Sequence, residues 1–135
     1  MIVEDFVSFE VAKLLKEKGF DEYCLKNYWS SDKELHDWKW ELSYKRNSDG
    51  NRNTKDCAAP THQMAMKWLR ENHNIHIVIE AYPHEDGCFY WCYRIMEMVK
   101  IETLFGYFKK AQKSGFDSYE DAVEAALKYC LEEMI

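Results

Sequence analysis

The chain has 135 residues, 18 basic against 24 acidic side chains, a formal net charge of −6 and 47% apolar residues, so one self-sufficient globular domain is expected. With 5 Trp, 9 Tyr and 7 Phe against only 5 Gly and 2 Pro, composition excludes a disordered chain. The five cysteines are odd in number and form no CxxC pair, and no apolar window reaches the roughly 20 residues of a membrane span. A reduced, cytoplasmic protein without membrane association is the expectation, and Glu4 and Asp5 stand where a signal peptide is basic.

In chain order, Ser8 is placed to cap a helix running through Lys18, with Val11, Leu14 and Leu15 on its apolar face. Gly19 then suits a left-handed stop, after which Phe20 folds back on that face. Tyr23 to Trp29 predicts a strand that pairs, across Ser30-Ser31-Asp32, with a second one from His36 to Lys45. In that second strand Trp38, Trp40, Leu42 and Tyr44 alternate with polar residues. Residues 46 to 57 read as a polar loop. Pro60 and Thr61 begin a helix to about Asn72, with Met64, Ala65, Trp68 and Leu69 as its buried stripe.

Ile75 to Tyr82, a five-residue loop Pro83 to Gly87, and Cys88 to Met96 read as a β-hairpin. One face of it holds Ile75, Ile77, Ile79, Phe89, Trp91, Tyr93 and Ile95; the other holds Tyr82, Tyr90, Cys92 and Arg94. Glu97 to Gly115 fits either a helical stripe or a strand over Thr103 to Phe108, and the strand reading completes the sheet. Ser118, with Asp121 three residues on, caps a last helix carrying Ala122, Val123, Ala126, Leu127, Cys130 and Leu131. The order α-β-β-α-β-β-β-α makes an α+β domain of antiparallel hairpins with about three helices packed on the sheet.

Three stretches, Val11 to Asp21, Pro60 to Glu71 leading into Asn74 to Ile77, and Phe116 to Ile135, resemble a family of small proteins from gut Bacteroides and related bacteria, often in prophage or other mobile-element surroundings. The resemblance implies a cytoplasmic bacterial or phage protein. It brings no catalytic or binding residue to this chain, and residues 97 to 115 match the family pattern poorly.

Candidate chemistry is sparse. His73, His76, Cys88 and Cys92 offer zinc-type ligands, but Cys88 and Cys92 stand about 13 Å apart along a strand, so no metal and no cofactor are expected. Cys57 and His62 form a possible nucleophile and base at a helix start, without an orienting third group. Glu80, Glu85 and Asp86 read as hairpin-turn residues, and Glu120, Asp121 and Glu124 as acids suited to a helix start. The phosphate-loop, dinucleotide, zinc-protease and nucleophile-elbow patterns are absent from the sequence, so an enzyme is not the favoured reading.

Lys45, Arg46, Arg52 and Lys55 gather beside Trp38, Trp40 and Tyr44, as a single-strand nucleic-acid site would, although the acidic chain makes such a partner unlikely on composition. Tyr28, Trp29, Tyr82, Tyr90 and Met96 are aromatics and a methionine left over once one core is filled, and such residues are enriched where interfaces are buried. The sequence therefore points first to a non-catalytic protein-interaction or assembly module, with a protein partner or a homodimer. Its candidate contacts are Tyr82, Tyr90, Met96, Arg46 and Arg52. A nucleic-acid-binding accessory protein comes second, and a small cysteine–histidine enzyme third.

Overall fold

The computed structural model describes residues 1–37, 45–49, 55–101 and 104–135. Among these described residues there are three α-helices and two three-stranded antiparallel sheets, the α+β class that the pattern of hairpins and helices calls for. The chain separates into two compact units, Met1–Ala65 and Met66–Ile135.

In the first unit, Ser8 is extended and its hydroxyl accepts the Val11 N–H at 3.2 Å, opening α1 (Phe9–Glu17). Gly19 has φ of +92°, which turns the chain so that the Phe20 N–H donates to the Leu15 carbonyl at 2.9 Å and the ring is buried. β1 (Lys26–Tyr28) pairs with β2 (Leu35–Asp37), as the sequence predicts, across a turn in which Lys33 is left-handed. The β2 alternation that rests on Trp38, Trp40, Leu42 and Tyr44 lies outside the described residues. Lys45 bridges to Cys24, and Asn47–Asp49 makes a 3-10 turn.

One expectation is corrected here. The segment read as loop through residue 57 ends in a third strand, β3 (Cys57–Ala59), which pairs with the other side of β1. Its three side chains are all buried, and α1 packs against it. Cys-Ala-Ala is small, apolar and too short to alternate, so no period-2 signal marks it.

α2 (His62–His73) starts where the Thr61 hydroxyl accepts the Met64 N–H at 3.2 Å. In the second unit β4 (Ile75–Pro83), β5 (Phe89–Ile101) and β6 (Leu104–Phe116) form a meander with β5 in the middle. Residues 104–116 are thus a strand, which extends eight residues past the Phe108 limit expected from the sequence. α3 (Tyr119–Tyr129) is capped by the Ser118 hydroxyl, which accepts the Asp121 N–H at 3.0 Å, and it continues as a π-helical turn, Cys130–Met134. Its buried stripe, Ala122, Val123, Ala126, Leu127, Cys130 and Leu131, packs on the meander, chiefly on β5 and β4.

Candidate functional site

Strand pairing sorts the meander into two faces. Ile77 lies opposite Ile95 and Ile79 opposite Tyr93, and this is the side α3 covers. Trp91 meets Tyr119 edge-on at 5.5 Å, and Tyr93 stacks on Phe116 at 5.7 Å. The second face carries the alternate residues: His76 opposite Met96, Val78 opposite Arg94, Glu80 opposite Cys92 and Tyr82 opposite Tyr90. Tyr82, Tyr90 and Met96, singled out from the sequence, therefore share one face.

β6 joins that face with two irregularities. Ser114 and Gly115 together stand against the single Cys92, and Lys110 is an extra residue between the partners of Ile95 and Met96. These bulges place Gln112 opposite Arg94 and Tyr107 opposite Met98. On the second face Tyr82 and Met98 are each 45% exposed and Tyr107 is 67% exposed, whereas Cys92 is fully buried. Glu80 and Arg94 form a half-buried ion pair. The Arg94 Nε is buried and has no hydrogen-bond partner among the described residues.

At the hairpin end of this face lies a cavity of about 420 Å³, lined by Tyr82, His84, Tyr90, Cys92, Gln112 and Ser114 together with Pro83 and Gly115. Asp86 is fixed beside it. One carboxylate oxygen accepts the Cys88 N–H at 2.9 Å and lies 3.4 Å from the His84 Nδ1; the other accepts the Tyr90 hydroxyl at 3.3 Å. The Cys88 N–H does most to hold the Asp86 carboxyl below the usual carboxylate range, with Tyr90 and His84 adding to it. A second concavity, about 340 Å³, opens at His73, Glu97, Lys110, Tyr129 and Glu133, where Lys110 and Glu97 pair at 3.2 Å.

The remaining candidates fall elsewhere. Arg46 belongs to the first unit, where it pairs with Asp49 at 3.2 Å and lies 4.7 Å over the Tyr23 ring. Arg52 lies outside the described residues. Tyr28 and Trp29, expected to lie on an uncovered edge, are half-buried within the unit. The Tyr28 hydroxyl donates to the Val7 carbonyl at 2.6 Å, and Trp29 stacks on His36 at 3.7 Å. Cys57 and His62 are both buried, and burial pushes the Cys57 thiol up, against the activation a nucleophile needs. Among the described residues no three His, Cys, Asp or Glu side chains are placed to hold a metal ion, and no helix is long and apolar enough to cross a membrane. Nothing in the sequence marks His84, Gln112 or Ser114, and the Asp-Gly turn accounts for Asp86 by itself. Only the aromatic pair Tyr82 and Tyr90 beside the loop signals the cavity.

All five cysteines are free, and Cys88 alone is exposed. Burial pushes the Cys24 and Cys130 thiols up to about 12, with Glu22 adding to the shift at Cys24. In native protein one thiol is expected to react rapidly with a disulfide reagent, and five after denaturation; two fast thiols would contradict this burial pattern. Because the unfolded thiols lose protons near pH 9 and the native ones only near 12, stability falls as pH rises through that window.

Neither a family model, nor a curated protein, nor a solved structure matches this chain.

Proposed function

We propose that this chain is a non-catalytic protein-interaction module that docks through the second face of the β4–β5–β6 meander, with a second copy of itself as first partner. The observation that carries the reading is the exposure of Tyr82, Met98 and Tyr107 on the face opposite the one α3 covers. Charge decides how two copies meet. Antiparallel pairing of two β6 edges about their middle would set Lys110 against its own copy, with Lys109 and Lys113 of both chains close by, which is how sheet edges are kept apart. On the face itself Glu80 and Arg94 neutralise each other and Lys109 is hydrogen-bonded to Gln112, so face-to-face contact brings fewer like charges together than pairing of the β6 edges.

Sedimentation velocity across the micromolar range tests this: a concentration-dependent dimer is expected, reduced to monomer by Met98→Ser with Tyr107→Ser. A monomer at every concentration, or a dimer indifferent to both substitutions, overturns it. The resemblance to Bacteroides and mobile-element proteins supports a cytoplasmic setting for such a module. A second reading, a nucleic-acid-binding accessory protein, draws on the exposed Tyr107, Phe108, Lys109, Lys110 and Lys113 along β6. Oligonucleotide binding that falls steeply with salt is its signature.

A further inference from the structure

The cavity at the hairpin end shares Tyr82 with the docking face and adds a chemistry of its own. Its volume, about 420 Å³, is that of a small-ligand pocket. Tyr82, His84 and Tyr90 supply aromatic walls, and the His84 and Tyr90 rings meet edge-on at 5.2 Å. The Tyr90 hydroxyl is committed as donor to Asp86, so towards the cavity it can offer only ring and lone pair. The Asp86 carboxylate, outside the cavity lining, contacts the Tyr90 hydroxyl and the His84 Nδ1, its position fixed by the Cys88 N–H.

No Lys or Arg side chain lines the cavity, among the described residues, and Glu85 adds a second negative charge on the loop. Of the cations on this face, Arg94 is neutralised by Glu80, and Lys109, opposite Met96, donates to the Gln112 Oε1 at 3.0 Å. At the rim the Ser114 hydroxyl offers an acceptor for N–H donors, while the Gln112 Oε1 already accepts from Lys109. An anion entering here would approach the Asp86 carboxylate beside the cavity, with Lys109 already engaged by Gln112. A cation would meet ring faces, whose quadrupole attracts positive charge, and a carboxylate.

We infer that this cavity binds an organic cation of guanidinium or alkylammonium type, held between Tyr82 and Tyr90 with Asp86 as its counter-charge. The shared chemistry covers a free small molecule and a basic side chain, and the probes separate them. Choline stands for the former and N-acetyl-arginine methylamide for the latter; 3,3-dimethylbutanol is the neutral isostere of choline and benzoate the anion. Titrations are followed by the ring resonances of Tyr82 and Tyr90 and the amide of Cys88.

At least one cation is expected to give saturable shifts, with the neutral isostere roughly threefold to thirtyfold weaker and benzoate silent. The tighter of the two cations identifies the source. Tyr82→Leu and Asp86→Asn should each weaken binding severalfold, while Tyr82→Phe keeps it; asparagine retains an acceptor for the Cys88 N–H, so the loop survives the change. The Met98→Ser, Tyr107→Ser variant should bind the cation at least as tightly as the parent does, which separates this site from the docking reading. Absence of saturable shifts with both cations, equal binding of the neutral isostere, or unchanged binding in Tyr82→Leu and Asp86→Asn overturns the inference.

Discussion

Replacing Ile95 by alanine is expected to lower the unfolding free energy of the second unit by about 2–5 kcal/mol. Ile95 is fully buried at the middle of the central strand, with Ile77 opposite it on β4 and Ala111 on β6. Its side chain points to the α3 side, so the three carbons removed leave a void closed on two sides by strands and above by a helix. Strands pinned by hydrogen bonds on both sides relax little, and the cost stays near the upper part of that range. Met96→Ala, one residue on and on the opposite face, removes a side chain that is only half-buried and should cost less than half as much. Urea unfolding followed by circular dichroism, with amide exchange along β5, checks both. A loss below about 1 kcal/mol for Ile95→Ala would mean that the α3 side is not the core of this unit.

The second large effect lies in the first unit. Phe20→Ala should cost about 3–5 kcal/mol, because a whole ring is removed from a site that is fully buried. The residue also locks the chain at both ends of its own peptide: its N–H closes α1, and its carbonyl accepts the Asn47 Nδ2 at 2.8 Å. Those backbone bonds survive the substitution, so the loss measures the ring. Phe20→Leu, which keeps most of the volume, should cost under about 1.5 kcal/mol. Thermal melting of the pair decides the matter: equal, small losses in both variants would place the ring outside the core.

Phe20 also shows what could be read in advance. Its burial follows from three local signals, a serine cap at Ser8, an apolar stripe and a glycine stop, all within one helix length. The caps at Ser8 and Ser118 and the pairing of β1 with β2 are of the same kind, written in neighbouring residues. β3 was hidden because three small buried residues carry no period, and their pairing to β1 is set by the tertiary fold. β6 was ambiguous for a sharper reason. Two bulges interrupt its alternation, and the one at Lys110 puts Tyr107 and Gln112, five residues apart, on one face, a spacing that strict strand periodicity forbids.

The candidate site divides in the same way. That Tyr82, Tyr90 and Met96 share a face follows from alternation within each strand once the hairpin is placed. That Gln112 and Ser114 join them depends on the β6 register and its bulge, which no local pattern records. Asp86 was visible but its use was not, because an Asp-Gly turn explains the residue without the Tyr90 and His84 contacts that aim it.

Cys88 gives the molecule a built-in attachment point. It is the single exposed thiol of five, its amide is the donor that fixes Asp86, and Tyr90 lies two positions along the strand. A fluorophore coupled there needs no cysteine removed elsewhere, and its emission would report directly on whatever enters the neighbouring space, in the unaltered sequence.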